Sequence, residues 1–279
     1  MAYRLTKHHG LGNDFLVLLG PGSELGGVGD DHARRWCDRH RGIGADGLLV
    51  GAFDDPDVDL VMTLRNADGS RAEMSGNGIR CLAHAEADRR NFTSVDLRIA
   101  TDAGLRTVEV RPAPDAHTVL ASVDMGVAGP GPDPDRDAAP ADASELSPAQ
   151  LAAKPLHIRT VDVGNPHLVL LVDDPAEVVM AAAGPTWASA WSAGINVHAV
   201  APTPGEADAL TMAIWERGVG TTEACGTGAA AVARAAHDWG LVGTDVVVHM
   251  PGGDVSVAVG ERLTIRGPSV RVALVEVDS

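Results

Sequence analysis

Short segments of apolar or alternating residues recur along most of the chain, with the length and β-branched composition typical of strands. They cover residues 14–19, 47–52, 58–64, 95–100, 105–111, 118–125, 156–163, 167–172, 195–200, 209–215, 246–250, 254–259, 262–266 and 270–277. Three longer stretches carry apolar residues at helical spacing, which predicts helices over 30–40, 77–90 and 227–239. Weaker helical patterns cover 147–153 and 175–183. Many strands with a few long helices indicate the α+β class.

The chain also carries an internal repeat. The hexapeptide EMSGNG at 73–78 matches EACGTG at 223–228, and a helix-forming stretch follows each. A weaker pair, Gly-Asn at 12–13 and at 164–165, lies close to the same offset of about 150 residues. Coincidence among Gly-rich turns is the alternative, since the chain has 32 glycines. The repeat predicts two similar domains, residues 1–118 with 268–279 and residues 119–267.

Composition narrows the classes of protein that fit this pattern. The 279 residues are 45% hydrophobic, enough for the cores of two domains. The net charge of -16 argues against a nucleic-acid partner, which would require a basic face. No run of about 18 apolar residues occurs, and the N-terminus lacks the apolar stretch of a signal peptide. We therefore expect a cytoplasmic protein without a membrane partner, and a surface loop or linker over the Pro-rich, acidic residues 128–140.

The reactive residues are few. Cys37, Cys81 and Cys225 form an odd, sparse set, which predicts free thiols rather than disulfides. The two lysines, Lys7 and Lys154, lie outside Gly- or Ser-rich contexts and are poor candidates for a pyridoxal Schiff base. No complete dinucleotide or P-loop motif occurs. We expect no cofactor. We also expect no metal, because His8, His9 and His167 lack metal-ligand spacing, and hydrogen-bonding roles suit them better.

The repeated segments have the pattern of a serine or cysteine followed by Gly-x-Gly at the start of a helix. The glycines permit a tight turn, and the first helical turn presents unpaired N–H groups that favour an anion such as a carboxylate. A cysteine at this position, Cys225, is expected to have a lowered pKa. Two such turns could place one side chain on each face of an α-carbon. That arrangement would suit inversion without a cofactor, in which one group removes the α-proton and another returns it.

Several motifs, in order and spanning most of the chain, together resemble the diaminopimelate epimerase family of cofactor-independent amino-acid epimerases. They are HGLGNDF at 9–15, RGIGADG at 41–47, NADGS at 66–70, MSGNGIRC at 74–81, GNPH at 164–167, ERGVG at 216–220, ACGTG at 224–228 and GP at 267–268. The resemblance implies two similar domains, each a sheet wrapped around a central helix, with the site in the cleft between them. It also implies interconversion of LL- and meso-2,6-diaminopimelate, a small amino-acid substrate.

The resemblance also implies roles for individual residues. Cys225 corresponds to the second acid/base cysteine of the family. Substrate hydrogen bonds are implied for Asn13, Asn66, Asn165 and Asn196, and contacts with the distal end of the substrate for Glu216 and Arg217. Backbone N–H groups of the two turns are expected to hold the reacting carboxylate, at Gly76, Asn77, Gly226 and Thr227. The sequence leaves the oligomeric state open, with a homodimer as one option.

The chain departs from the family at its first catalytic position, where Ser75 replaces cysteine. A hydroxyl is a far weaker acid than a thiol, so its basic form is scarcely populated, and only Asp68 and Glu73 are near it in sequence. Four interpretations stay open: an epimerase with an activated serine, a slow or directionally biased epimerase, a dehydratase that needs one base, or an introduced substitution. A non-catalytic amino-acid-binding protein is the rival class. Cys37 and Cys81 are predicted to be buried packing residues.

Overall fold

A computed structural model of the protein describes residues 2–135 and 155–278. The chain divides into two compact units, here called unit 1 (Met1–Asp124 with Arg266–Ser279) and unit 2 (Met125–Ile265). The predicted domain boundaries, after 118 and after 267, lie near those of the structure, after 124 and after 265. Among the described residues, no helix has both the length and the apolar composition to cross a membrane.

Unit 1 is a curved sheet around a helix. Its strands are β1 (Ala2–Gly10), β2 (Asn13–Gly20), β3 (Gly47–Ala52), β4 (Leu60–Asn66), β5 (Arg71–Ala72), β6 (Val95–Thr101), β7 (Gly104–Pro112), β8 (Thr118–Gly126) and, from Arg266 onward, β17 (Leu263–Asp278). Its helices are α1 (Gly22–Leu25), α2 (Asp30–Cys37) and α3 (Gly76–Arg90). The pairings run β17, β1, β2, β3, β4, β6, β7, β8 and back to β17, which closes the sheet.

Helix α3 is the central helix of unit 1. It contacts β1, β2, β3 and β7, and every residue from 76 to 87 is buried. A helix buried on all sides must satisfy its charged side chains internally. Glu86, fully buried, receives bonds of 2.7 Å from Arg89 and of 2.6 Å from Arg90. These ion pairs at the C-terminal end of α3 also place positive charge where the helix dipole favours it.

Unit 2 has the same plan. Its strands are β9 (Gly129–Pro130), β10 (His157–Asp162), β11 (Pro166–Leu171), β12 (Asn196–Pro202), β13 (Ala209–Glu216), β14 (Gly220–Thr221), β15 (Asp245–Met250), β16 (Gly253–Val259) and the first residues of β17. Its helices are a 3₁₀ turn (Pro175–Glu177), α4 (Met180–Ala188) and α5 (Gly226–Asp238). Helix α5 contacts β10, β11, β12, β15 and β16, and small alanine side chains allow the close packing of this buried helix.

Strand order confirms the internal repeat. In unit 1 the pairs β1–β2, β2–β3, β3–β4, β4–β6 and β6–β7 are antiparallel, parallel, antiparallel, parallel and antiparallel. In unit 2 the pairs β10–β11, β11–β12, β12–β13, β13–β15 and β15–β16 follow the same alternation. In each unit a two-residue strand, β5 or β14, directly precedes the central helix. The predicted α+β class, with two similar domains built around central helices, is confirmed.

The sequence pattern missed a few elements for identifiable reasons. Strand β1 has few apolar residues, and its burial comes from pairing on both edges with β2 and β17. The predicted strands at 262–266 and 270–277 form one strand, because Pro268 does not interrupt β17. The predicted helix at 175–183 is a 3₁₀ turn followed by α4, which begins at Met180. The predicted helix at 147–153 and the end of the predicted loop at 128–140 lie outside the described residues.

Candidate active site

In unit 1, Ser75 caps the N-terminus of the central helix α3. Its backbone is extended, with φ of -139°, and its Oγ accepts a hydrogen bond from the Gly78 N–H at 3.0 Å. A Cβ on Gly78 would lie 3.1 Å from the Ser75 Cβ, so glycine allows the cap to close tightly. The neighbouring Gly76 and Asn77 are buried in the first helical turn. The predicted turn at the start of a helix is therefore present at this position.

A network of polar side chains supports this helix start. Asn77 donates to the Asn13 Oδ1 at 3.1 Å, and Asn13 donates to the Asp46 carboxylate at 2.8 Å. The Asn77 Oδ1 accepts a 2.7 Å bond from Arg80, whose guanidinium is fully buried. Burial lowers the pKa of Arg80 to about 10. A Cβ on Gly10 would lie 3.1 Å from the guanidinium, so the glycine of the first motif makes room for it.

Asn66 lies at the end of β4, paired in register with Gly47 on β3. Its side chain donates to the Ser70 Oγ at 3.0 Å. Asp68, which the sequence left as a neighbour of Ser75, accepts bonds from the Ser70 N–H at 2.8 Å and hydroxyl at 2.6 Å. Those bonds hold the pKa of Asp68 below its usual range. These bonds hold the Asp68 side chain within the turn that joins β4 and β5.

In unit 2, Cys225 caps α5 as Ser75 caps α3. Its φ is -132°, and its Sγ accepts the Gly228 N–H at 3.3 Å. The Thr227 hydroxyl lies 3.6 Å from the sulfur, and Gly226 opens the helix. Residues from both copies of the repeated hexapeptide thus form the same helix cap, one with a thiol and one with a hydroxyl.

The expected low pKa of Cys225 is wrong for the structure as it stands. Burial, followed by the negative charge of Glu216, raises the pKa of the thiol well above its usual value. The bonds from Thr227 and the Gly228 N–H lower it, but they are the smaller effects. The Glu216 carboxylate, whose charge acts on the thiol, accepts a 2.6 Å bond from the Thr222 hydroxyl. Sequence analysis placed Glu216 at the distal end of a substrate and did not foresee this effect on the thiol.

The other thiols behave as predicted. Cys37 and Cys81 are buried and free, and burial raises the pKa of each to about 12. The expected hydrogen-bonding role of His8 is wrong, because both of its ring nitrogens are buried without a partner among the described residues. It packs edge-on against His84, with ring centroids 4.8 Å apart. Packing, rather than hydrogen bonding, accounts for its position in unit 1.

A pair of buried imidazoles lies next to Cys225. His167 Nδ1 and His198 Nε2 are 2.8 Å apart, and His167 Nε2 is 2.9 Å from the Asn165 Oδ1. An amide oxygen can only accept, so Nε2 of a neutral His167 carries the proton and Nδ1 accepts one from His198. His198 Nδ1 then holds a lone pair, and it is buried without a partner in the part of the chain that the structure describes. The amide of Asn165 also donates to the Thr227 hydroxyl at 3.4 Å, which links the pair to α5.

Both histidines stay neutral in the folded protein. Burial lowers the pKa of His198 to about 3, and burial with the neighbouring His198 and Arg217 lowers the pKa of His167 well below its usual value. The unfolded chain binds these protons below a pKa of about 6.5. Stability is therefore complete above that value and is lost as the pH falls through the window between about 6.5 and 3.

We predict that the free energy of unfolding falls on going from pH 7 to pH 5, by about 2 kcal/mol for each histidine that must stay neutral. Urea denaturation at the two pH values, followed by circular dichroism, measures the difference. The variant His198→Asn is expected to show a shallower pH dependence, by about one proton, although it is less stable at pH 7. An unchanged slope in that variant would contradict the assignment of His198.

Two further predicted residues are adjacent in unit 2. The Asn196 Oδ1 accepts the backbone N–H of Arg217 at 3.0 Å, and its amide donates to the Pro166 carbonyl at 3.1 Å. The Arg217 guanidinium donates to the Ala193 carbonyl at 3.0 Å. A Cβ on Gly194 would lie 2.4 Å from the Arg217 Cδ, so glycine there gives the side chain its path. Asn196 thus positions the backbone at Arg217.

The predicted site residues therefore form one cluster in each unit. Ser75, Gly76, Asn77 and Asn13 lie together in unit 1, with Asn66 at the end of the neighbouring strand β4. Cys225, Gly226, Thr227, Asn165 and Glu216 lie together in unit 2, with Asn196 at the start of β12 and Arg217 in the turn that follows β13. Sequence reasoning missed Arg80 and His198. The motif at 74–81 contained the first, whereas no local signal marked the second.

Comparison with known proteins supports the resemblance that the sequence motifs indicate. The family model described as diaminopimelate epimerase matches residues 5–129 and 159–268. A diaminopimelate epimerase of Pseudomonas savastanoi pv. phaseolicola is 36% identical, covering 98% of both chains. One from Nostoc punctiforme is 35% identical, again covering 98% of both chains.

Solved structures share the fold at low sequence identity. A predicted epimerase from Pseudomonas aeruginosa has a TM-score of 0.74 at 17% identity, covering 99% of both chains. A hydroxyproline epimerase from Agrobacterium vitis, solved with trans-4-hydroxy-L-proline, has a TM-score of 0.69 at 15% identity and covers 99% of this chain and 92% of that one. With its repeated helix caps, its strand order and these full-length relatives, the chain belongs to the diaminopimelate epimerase family.

Proposed function

We propose that the protein is an isomerase that interconverts LL- and meso-2,6-diaminopimelate, without a cofactor, by moving a proton at one α-carbon. The observation that carries this proposal is the Cys225 cap on α5, in a chain 36% identical to named diaminopimelate epimerases over 98% of its length. The repeated cap at Ser75 supplies the second position that a two-base inversion needs.

Cys225 is the first acid/base group of the proposal. At rest it is a neutral thiol under the influence of the Glu216 charge, and the proposal assigns this carboxylate as the acceptor of the thiol proton. The thiolate that results removes the α-proton of the substrate, and the Gly228 N–H stabilises the negative sulfur. Transfer in the reverse order returns a proton. Each unit of pKa by which burial and the Glu216 charge raise the thiol adds about 1.4 kcal/mol to the free energy of forming the thiolate.

The helix N-termini of α3 and α5 suit the reacting carboxylate. The first-turn N–H groups of a helix lack partners within the helix, and the dipole places positive charge there. In the proposal, N–H groups of Gly76, Asn77, Gly226 and Thr227 bind the carboxylate and stabilise the carbanion character that forms when the proton leaves.

Substrate contacts complete the proposal. Asn13, Asn66, Asn165 and Asn196 are assigned hydrogen bonds to the substrate. Arg217 is assigned the distal carboxylate, since a guanidinium suits a carboxylate in a forked pair of bonds. All five have side-chain bonds that hold them in place before any substrate binds.

Ser75 is the second acid/base group. Its Oγ accepts the Gly78 N–H, a bond that would also stabilise an alkoxide. As an acid the hydroxyl can return a proton to a carbanion, but as a base it is disfavoured. The proposal therefore predicts a slow inversion, limited by the step in which position 75 must take the proton.

The test is incubation with LL-diaminopimelate in deuterated water. Deuterium at one α-carbon together with formation of the meso isomer supports the proposed epimerase. Exchange without inversion would indicate one working base, on the Cys225 side. An imine or keto-acid product from a hydroxylated amino acid would indicate a dehydratase. Absence of any exchange in the protein and in its Ser75→Cys variant would rule out this substrate and favour a binding protein.

The assembly and compartment are further parts of the proposal. Val272 and Leu274 are both about half exposed on one face of β17, which supports a homodimer through that strand. Sedimentation velocity is expected to give twice the 28.8 kDa chain mass, and Leu274→Lys to give the monomer. The three free thiols suit a reducing compartment such as the cytoplasm.

A further inference from the structure

His167, His198 and Cys225 bring three metal-ligating atoms together in unit 2. One nitrogen of each imidazole and the cysteine sulfur all lie within 4.8 Å of one another, and all three side chains are buried. Their sequence separation hides this grouping, because they come from β11, β12 and the cap of α5. The proposed reaction uses only the thiol of this group.

The chemistry of the three donors suits a thiophilic cation. Zn²⁺ takes imidazole nitrogen at about 2.0 Å and thiolate sulfur at about 2.3 Å, in four-coordinate sites that include the combination of two nitrogens and one sulfur. The negative charge of the Glu216 carboxylate acts on the same thiol. A thiolate and a carboxylate together balance the two positive charges of the ion, so a buried ion would not be left uncompensated.

Gly228 allows the His198 imidazole and the Cys225 sulfur to lie close together against the first turn of α5. A Cβ on Gly228 would lie 2.7 Å from His198 Nε2 and 3.1 Å from the Cys225 Sγ. Glycine keeps that space free of a side chain. The three donors are spread over up to 4.8 Å, against about 3.5 Å between donors of a tetrahedral zinc ion, so side-chain movements of about 1 Å suffice.

The imidazole tautomers can adapt at small cost. In the hydrogen-bonded pair, His198 Nε2 carries the proton that His167 Nδ1 accepts. Moving that proton to His198 Nδ1 breaks no other bond, because Nδ1 has no partner within residues 2–135 and 155–278. Both Nε2 of His198 and Nδ1 of His167 then present lone pairs. The ring-to-ring hydrogen bond is exchanged for two bonds to the metal.

We propose that His167, His198 and Cys225 form a binding site for a thiophilic divalent cation, represented by Zn²⁺, that inhibits the enzyme. On binding, the Cys225 S–H bond breaks, the proton leaves to solvent, and the sulfur forms a bond to the ion with no change of oxidation state. In the proposal a water molecule or the Glu216 carboxylate supplies the fourth ligand. The inhibition rests on the proposed function, because it acts by occupying the acid/base thiol. Binding of the ion to the three donors does not depend on that function.

Titration with Co²⁺, followed by absorption spectroscopy, tests the site without measuring activity. A sulfur-to-cobalt charge-transfer band that saturates at one ion per chain and disappears on adding Zn²⁺ is expected. His198→Asn is expected to weaken the affinity at least tenfold, and Cys225→Ser to abolish the band. The control is His249→Gln, because His249 bonds two surface carboxylates, Glu206 and Asp254, and is not a member of the group of three donors. That variant is expected to keep the band.

A measurement on the unaltered protein covers the case in which a variant fails to fold. Zn²⁺ is expected to slow the alkylation of Cys225 by iodoacetamide, read by peptide mass mapping, and a chelator to restore it. Absence of the sulfur band, or a Cys225 alkylation rate that Zn²⁺ leaves unchanged, would overturn the site. Spectroscopic binding with unimpaired isotope exchange would overturn the inhibition alone. A protein that binds Co²⁺ through sulfur yet never exchanges deuterium would leave the metal site standing and reject the proposed function.

Discussion

Ser75→Cys is expected to raise the rate of inversion of diaminopimelate by about two to four orders of magnitude, the usual contribution of a matched general acid or base. The two caps have nearly the same geometry. Ser75 has φ of -139° and ψ of 122°, and Cys225 has -132° and 107°. Each accepts the N–H of the third residue beyond it. A thiol at position 75 would therefore enter a frame that unit 2 already uses for a thiol, and its basic form is far more accessible than that of a hydroxyl.

The measurement is kcat and KM for LL-diaminopimelate, with deuterium incorporation followed in the same samples. The gain is expected in kcat, because substrate contacts are unchanged. Ser75→Ala is the matched control, since it removes only the hydroxyl. It is expected to lose the residual inversion while keeping exchange in the isomer whose α-proton Cys225 removes. Equal rates for the serine, cysteine and alanine proteins would show that position 75 transfers no proton.

Cys225→Ala is expected to lower inversion and isotope exchange together, by at least about two to four orders of magnitude. Of the two acid/base positions in the proposal, Cys225 carries a thiol and Ser75 carries a hydroxyl. The proposal assigns Glu216 as the acceptor of the thiol proton. The substitution also removes the cap bond to the Gly228 N–H, which costs roughly 1 kcal/mol of stability. The assay is therefore accompanied by thermal denaturation, to show that the variant is folded at the assay temperature.

Two comparisons separate chemistry from folding in that experiment. Cys225→Ser keeps a cap acceptor and is expected to recover the stability but not the rate. Cys37→Ala changes a buried thiol of unit 1, with a pKa raised to about 12, and is expected to leave kcat unaltered. If Cys225→Ala kept exchange at the rate of the unaltered protein, the proton transfer would belong to another group and the assignment of Cys225 would be wrong.

The differing chemical states of the two caps follow from their surroundings. Both use the same backbone device, in which an N-terminal side chain accepts a helical N–H group. Cys225 is almost fully buried beside a carboxylate, and this raises the pKa of its thiol despite the helix dipole. The sequence rule that a cysteine at a helix N-terminus is acidic considers only the helix. Here burial and the carboxylate of Glu216, at the end of β13, raise the pKa of the thiol instead of lowering it.

Local patterns in the sequence were sufficient to predict most of the strands, the two central helices and the caps at their N-termini. Alternation predicted most of the strands, helical spacing predicted the two central helices, and Gly-x-Gly after Ser75 and Cys225 predicted their N-termini. The internal repeat predicted two units with the same order of strands and helices, because similar sequence segments form similar elements. These features depend on neighbours within a few residues, so a linear pattern contains the information.

Contacts between distant residues were decided only by the tertiary structure. The parallel register of β11 with β12 sets Asn196 beside His167 and His198 two residues further on, which puts the two imidazoles in contact. The end of β13 brings Glu216 to the Cys225 thiol. Register and burial depend on how whole strands pair and pack, and no local pattern encodes them. The sequence thus determined which residues could carry the chemistry, whereas the fold decided their protonation states and their partners.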